Sequence, residues 1–572
     1  MIWIRRIPLT LALLAATSCN LPSRAPAPQP VSPQLAATAS PASAPPITSA
    51  LPEHRIGVRT TNGQPEFFDR QTGAKFVPRG ANLWRWKLWP RGNEKILIDT
   101  MFNTKIGQLD SALQELPRMH AEGFNVVRVW ENACWGGAPG CMDLASGGLD
   151  PAYLKNLARF IQTAKDNGLY VLLTVDELPD TGGYRDHFTS DGRHYGGFNR
   201  LFLTQGGIDA TRLYYTDFIR GLHAAGAPTD AILAYELHNE AFYEGDALPL
   251  STSSGSVTPA NGHTYDLADP AQRRALMEDS WVYYIDQVSQ GIKAEDPTAL
   301  VTMGFFVQTE PNPARQGDHR IVYMHKVLND SVLDFVDLHA YPGYELDMRQ
   351  HAENFDILGY NKKPLLMGEF GADRHIFTDA MSAASRLQTW QAESCQYGFD
   401  GWLMWTWGGA EMPDDYWQAI DADGAIAHAL SPNRHPDPCA VPNLALNKSV
   451  QVSAAMPDAA GVLAVDGNPE TIWSSGLDAP QWIQIDLGQP VSIASIRLTV
   501  SQFPEGPTTH QVWVGADPNM LKLVHQFSGF TKDPEVLTFS PASNLNGVRF
   551  VRILTQASPS WVAWREIEVL GP

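Results

Sequence analysis

The chain has 572 residues, 44% of them hydrophobic and 18% charged, enough apolar material for two or three globular domains. A formal net charge of −20 argues against nucleic acid or an anionic membrane surface as a partner. Seventeen tryptophans is a high count; Trp fills cores, and it is also a side chain that stacks on sugar faces.

Taken from the start, Arg5 and Arg6 precede a short apolar run, Leu9 to Ala16, and small residues then lead to Cys19. This is the layout of an export leader over residues 1–19, too short to span a bilayer. Ala16-Thr17-Ser18-Cys19 resembles a bacterial lipobox, which makes Cys19 a candidate lipid anchor, with plain secretion as the alternative. The expected location is therefore the cell envelope or the exterior. Residues 20–52 are rich in Pro, Ala and Ser and nearly free of charge, and read as an extended tether. Beyond Cys19 there are four cysteines, which an exported protein can oxidise in three connectivities. Cys134 and Cys141 flank the turn-rich WGGAPG, which favours that pair and leaves Cys395 with Cys439. No His/Cys cluster of ligand spacing accompanies them, so a zinc site is not expected.

Residues 53–438 alternate strand and helix signals. A small hairpin turning at Thr72-Gly73 leads into a first strand at Phe76–Leu83. Further apolar strands lie at Phe124–Trp130, Leu169–Val175, Ala231–Leu237, Ala299–Phe305, Asp334–Tyr341, Pro364–Phe370 and Gly401–Trp407. Helical patterns lie between them, two of which open on Asp-Pro (Asp150-Pro151, Asp269-Pro270), a cap followed by Pro at the first helical position. Eight continuous apolar strands separated by helices predict an α/β fold of the (β/α)8 TIM-barrel type. An open doubly wound sheet is the rival, but no GxGxxG follows any strand. Long connections at 176–208, 241–269 and 306–319 fall on the face that carries chemistry in such barrels. Residues 439–572 change texture to short alternating strands with turn signals, an all-β jelly-roll sandwich.

Two of the barrel strands end in a glutamate: AILAYELHNE at Glu240 and PLLMGEFG at Glu369. Cleavage of a glycosidic bond needs one carboxylic acid to protonate the leaving oxygen and a second carboxylate to meet the anomeric carbon. VRVW, LHNE, LHAYPG and MGEFG, in that order, resemble glycoside hydrolase family 5, over most of Phe76 to Gly408. The resemblance implies retention of configuration, with Glu240 as general acid/base and Glu369 as nucleophile. It further implies that Asn239 holds the substrate 2-hydroxyl, Arg128 keeps the nucleophile ionised, His339 and Tyr341 orient that carboxylate, and Trp405 is a stacking platform. Catalysis by such a pair needs no cofactor. Two departures touch the choice of sugar: His238 stands where larger apolar residues are common, and VDELPD (Val175–Asp180) replaces the usual segment after the third strand. Glu131, Asp176 and Glu177 also follow strands and read as substrate hydrogen-bonders or loop ion pairs. Trp84, Trp86 and Trp89 read equally as packing or as sugar platforms.

The sandwich resembles discoidin-like (F5/8 type C) modules, including family 32 carbohydrate-binding modules, on NLALNKSV, AVDGNPETIWSS, WIQIDLG and WREIEVLG. That likeness implies a structural calcium near Asp466, Thr471 and Glu566, oxygen donors suited to the ion. It also implies a sugar site in end loops, for which Trp561 and Phe503 are the aromatic candidates. The function expected is a β-glycosidase, endo-acting on a β-1,4-linked glucan or mannan, with a polysaccharide or oligosaccharide as its partner. Alternatives are an exo-β-glycosidase or chitosanase and, in another class, a carbohydrate-binding envelope protein or an adhesin with an inactive barrel.

Overall fold

The computed structural model describes residues 51–91, 94–132, 138–306, 319–343, 346–408, 415–436, 438–439, 443–493, 495–541 and 544–571. The expected leader, Cys19, most of the tether, Cys134 and most of the 306–319 connection lie outside these. No helix among the described residues is long and apolar enough to cross a membrane.

Eight parallel strand positions form the barrel: β1 (Arg79–Asn82), β2 (Val126–Asn132), β3 (Tyr170–Val175), β4 (Ile232–Glu236), β5, β6 (Val336–His339), β7 (Leu365–Phe370) and β8 (Phe399–Met404). The strand β5 is broken at Met303: Val301–Thr302 pairs with β4 and Gly304–Phe306 pairs with β6, so the ring closes through its two halves. The first strand is shorter than the sequence suggests. Pro78 interrupts it; Lys75–Phe76 belongs instead to a three-stranded sheet with Ile56–Thr61 and Gln64–Asp69. That small sheet seals one end of the barrel. Its Ile56 and Phe67 join Val126, Leu172, Leu233, Ala234, Phe335, Leu366 and Leu403 in one apolar cluster. Both Asp-Pro helices form as read: Asp150 and Asp269 cap Pro151–Asp166 and Pro270–Glu295 through their side chains.

The two-residue period of a strand sends alternate side chains to opposite faces of the barrel wall. Val127, Val129, Val171, Leu173, Tyr235, Leu338 and Met367 enter the main core among the surrounding helices. The alternating residues fill the barrel. Above the apolar layer comes one drawn from Asn82, Arg128, Thr174, Glu236 and Asp337, all buried. Barrel interiors are ordinarily packed with Val, Ile and Leu; this layer is polar and charged.

The C-terminal sandwich packs a five-stranded antiparallel sheet (Ser449–Val452, Gln481–Ile493, Leu545–Ala557, Gly506–Gly515, Lys522–Thr531) on a four-stranded one (Trp473–Ser474, Ala563–Leu570, Ser495–Ser501, Val536–Phe539). Trp473, Ile485, Leu498, Val512, Ile553, Trp564 and Ile567 are buried between the two. The smaller sheet meets the barrel helix Ala380–Ser394: Arg497 donates to Ser385 and Thr389 and lies 3.4 Å from Glu568. Cys395, at the end of that helix, is bonded to Cys439, with Cα atoms 5.5 Å apart.

Candidate active site

Arg128 on β2 is the hub. Its Nε and Nη2 donate to the two oxygens of Glu236 at 2.7 Å each. Nη1 donates to Asn82 Oδ1 (2.9 Å) and Glu369 Oε1 (2.6 Å), and Nη2 also to Asn239 Oδ1 (2.7 Å). All five guanidinium N–H groups are therefore engaged. The surrounding carboxylates raise its pKa well above the ordinary value despite the burial that opposes it, so it stays a cation. Such a fork fixes Glu369 in position as well as countering its charge.

Around that hub the two strand-end glutamates converge. Tyr341 donates its hydroxyl to Glu369 Oε2 at 2.7 Å. His339 Nδ1 lies 3.1 Å from Glu240 Oε1 and 3.5 Å from Glu369 Oε2. An oxygen of Glu240 and one of Glu369 fall within 4.8 Å of each other. Glu240 is held at φ +44°, a left-handed conformation rare for a non-glycine residue and a typical place for strain at a working site. Backbone bonds on either side pin it: Asn239 N to Val175 O (2.7 Å) and Ala241 N to Gly304 O (2.8 Å). Burial works against a charged His339, yet Glu369, Asp337 and Glu240 around the ring push its pKa up to about 10.

The wall beside the pair is aromatic. Trp84 and Trp130 stack at 5.1 Å and 17°, and Trp405 meets Trp130 edge-on at 5.4 Å. Trp405 is mostly covered, and Tyr341 belongs to the same cluster. Asp176, half-buried after β3, is pushed up to about 7 by burial, with hydrogen bonding from Asn239 pulling the other way.

Several expectations change here. His238 does not face the pair: its ring packs edge-on to Phe198 at 4.8 Å and lies beside Phe202, and burial lowers its pKa to about 4. It lies two residues past the end of β4, where the chain has left the strand's alternation. Glu131 is neither a substrate hydrogen-bonder nor a loop ion pair. It is fully buried, accepts from the Tyr214 hydroxyl at 2.8 Å, and burial raises its pKa well above the carboxylate range. Glu177 is a loop ion pair, 2.7 Å from Arg185. Trp86 is packed away, 4% exposed. Sequence reasoning missed Glu236, Asp337, Asn82 and Thr174. The available signal was a charge at an inward position of an apolar strand: Glu236 in ILAYE and Asp337 in VDLH.

In the sandwich, Thr471 sits on Asp466, and Asp466 is an electrostatic neighbour of Glu566. The Thr471 hydroxyl is within 2.9 and 3.1 Å of the Asp466 oxygens, 2.7 Å of Asn468 O and 3.2 Å of Leu463 O. Burial pushes the pKa of Glu566 up, and Glu568 and Asp466 add to it; neither Glu566 oxygen has a hydrogen-bond partner among the described residues. One hydroxyl hydrogen cannot serve four acceptors, so the donor set has oxygen lone pairs to spare.

Comparison with known families agrees with this architecture. A family model described as cellulase (glycosyl hydrolase family 5) matches residues 99–411, more than half of the chain, and one described as a NedA-like, galactose-binding domain matches 463–553. The chain belongs to glycoside hydrolase family 5. It is a glycoside hydrolase whose barrel carries a discoidin-type sandwich, and its ligand is a carbohydrate. Among solved structures, an endo-1,4-beta-mannanase from Rhizomucor miehei is 18% identical over 67% of this chain and 100% of its own, with TM-score 0.47. A chitosan-binding module from a chitosanase/glucanase of Paenibacillus sp. IK-5 is 30% identical over 23% of this chain and 100% of its own, with TM-score 0.20. A family 32 module from C. perfringens in complex with galactose is 17% identical over 23% and 97%, with TM-score 0.20. No curated protein matches the sequence.

Proposed function

We propose that the protein is a retaining β-glycoside hydrolase that cuts a β-1,4-linked glucan or mannan internally. Glu369 is its nucleophile and Glu240 its general acid/base. The observation that carries this reading is the approach of the two carboxyl groups to within 4.8 Å. Retaining enzymes need about 5–5.5 Å so that one carboxylate attacks directly, whereas inverting ones need roughly 6.5–9.5 Å to admit a water. The roles follow from the neighbours. Glu369 accepts from Arg128 and Tyr341 and is aimed as a fixed nucleophile. Glu240 is more open, its side chain 24% exposed, as a group exchanging protons with leaving group and water must be. Asn239, clamped by Arg128, would meet the 2-hydroxyl, and Trp405 would stack on the sugar. The polysaccharide class rests on membership in a family described as cellulase.

The leader-like pattern of residues 1–19 is the ground for proposing export, with anchoring or release at Cys19. In the sandwich, Glu566, Asp466 and Thr471 would hold a structural calcium, since their surplus of oxygen acceptors suits a hard cation. Trp561 and Phe503, 50% and 79% exposed, would contact sugar in the end loops. The test is a panel of β-glucans, mannans, chitosan and aryl glycosides with product sizing, run on the wild type, Glu369→Ala and Glu240→Ala. Each substitution is expected to lower turnover by on the order of 10³-fold or more, and azide should restore one of them with a glycosyl azide product. Full activity in either variant sinks the assignment; monosaccharide as the sole first product sinks internal cleavage.

A further inference from the structure

A charge count within the barrel leaves one carboxylate unexplained. Arg128 is a single cation whose five N–H groups go to Glu236, Asn82, Glu369 and Asn239. Asp337, fully buried in the same layer, has no hydrogen-bond partner on either oxygen among the described residues, and Arg128 Nε stands 3.8 Å away with its hydrogen committed to Glu236. A buried carboxylate needs a counter-charge or a proton. An unused donor stands beside it: His339 Nε2 lies 3.8 Å from Asp337 Oδ1 and has no hydrogen-bond partner of its own among the described residues. Room for this acid is built into the barrel. A Cβ on Gly368 would stand 2.0 and 2.3 Å from the Asp337 oxygens, and one on Gly304 would stand 2.4 Å from Glu236 Oε1. Any larger residue at these two inward positions would expel the carboxylates.

We propose that Asp337 is a positioning residue that holds His339 as the second cation of the site, with the Nδ1–H turned toward Glu240 and Glu369. This rests on Glu240 and Glu369 being the catalytic pair. The reason for a second cation lies in the movement of charge. In glycosylation Glu369 attacks the anomeric carbon and becomes a neutral ester. The glycosidic C–O bond breaks, and the Glu240 proton goes to the leaving oxygen. One negative charge thus passes from Glu369 to Glu240, and it returns when water, deprotonated by Glu240, hydrolyses the ester. Of the catalytic pair, Arg128 donates to Glu369. His339 Nδ1 is near both, 3.1 Å from one and 3.5 Å from the other, and stays beside the charge in both steps. The other charged or titratable groups beside this ring or its acid are Glu236, Arg128 and Tyr341, which shares Glu369 Oε2 with the ring. The elevated pKa of His339, about 10, agrees with a ring charged at neutral pH.

The experiment pairs kinetics with a reading of the ring itself. In Asp337→Asn, which keeps shape and removes charge, kcat is expected to fall at least about tenfold, and the His339 ring, followed by nitrogen-15 NMR, to lose its second proton at a pH lower than in the wild type by about one unit or more. In a His339→Gln background the same substitution should add nothing, because Asp337 acts through His339. Equal losses in the two backgrounds, or an unshifted titration of the ring, would overturn the proposal. Nitrogen-15 NMR of histidine-labelled wild type, with His339→Gln for assignment, decides the matter even if Asp337→Asn does not fold. Both ring nitrogens protonated at pH 8 is the expected result, and a neutral ring refutes it. This second readout needs no turnover, so an error in the catalytic roles of Glu240 and Glu369 would show up separately, as activity surviving in their alanine variants.

Discussion

The barrel and the sandwich both bury acids, and they dispose of the charge in opposite ways. Inside the barrel, Glu236 and Glu369 lie on Arg128 and Asp337 faces His339, so each of these carboxylates has a basic side chain carried by the barrel's own strands. In the sandwich, Glu566 is 2% exposed and without a hydrogen-bond partner among the described residues, and its electrostatic neighbours Asp466 and Glu568 are acids as well. A site that does chemistry carries its counter-charges in the sequence, where their positions can be fixed to fractions of an ångström. A site that only has to be held together can take its counter-charge from solution. Removing charge from each region in turn tests whether this contrast is real.

The largest effect is expected from Arg128→Met, which fits the space with an apolar chain and strands the carboxylates around it. Breaking a buried ion pair from one side costs about 3–5 kcal/mol, and here three acids lose a partner or neighbour. Chemical denaturation should show a loss at or above that range, together with loss of turnover. A stability change within about 1 kcal/mol would mean the layer is wetter than its burial implies, and the contrast with the sandwich would fail.

Much of this barrel was legible from strand ends. Glu240, Glu369, Asn239, His339 and Tyr341 each sit at the close of an apolar run, Arg128 sits inside one, and the structure brings all six together. The illegible part lies where the chain leaves a strand, and where both faces of a strand are buried. His238 and Asn239 are adjacent and both polar, but one packs on Phe198 and the other is clamped by Arg128. Glu236 reads as a charge in an apolar strand with no sign of a partner, because Arg128 lies on another strand; Asp337 lies two residues before His339, whose role the sequence ties to Glu369 instead. The split of β5 at Met303 and the loss of Lys75–Phe76 to the end-sealing sheet are pairing choices made by tertiary context. In the sandwich, Asp466, Thr471 and Glu566 were found through a family likeness; nothing in their spacing alone joins a loop to a strand almost a hundred residues later.

A smaller effect should come from the cation proposed for that loop and strand. Calcium at a hundred times its dissociation constant would stabilise the folded sandwich by about 2.7 kcal/mol, so a chelator should lower its melting transition and calcium restore it. Glu566→Gln should make the transition indifferent to calcium and leave the barrel's ion pairs untouched. If the wild type already melts identically with chelator and with calcium, the sandwich compensates its acids internally and the contrast between the two regions is lost.

The smallest effect is expected where the two regions meet. Glu393 on the barrel helix is 3.0 Å from Arg386 and is held close to the Arg497–Glu568 pair of the sandwich. Burial raises its pKa from 4.5 to about 7, against the pull of Arg386. A raised carboxylate pKa means the folded state binds the proton more tightly than the unfolded one. The stabilisation is therefore complete below about pH 4.5 and is lost as pH climbs through about 7. The shift sets a ceiling of about 3 kcal/mol, and water at the rim of the interface should reduce it to about 1 kcal/mol. Unfolding measured between pH 5 and 8 should show this decline in the wild type and a flatter curve in Glu393→Gln, which is neutral throughout. A parallel pair of curves would show that Glu393 titrates as it does in the unfolded chain, and that the interface, unlike either region it joins, does not bury its acids at all.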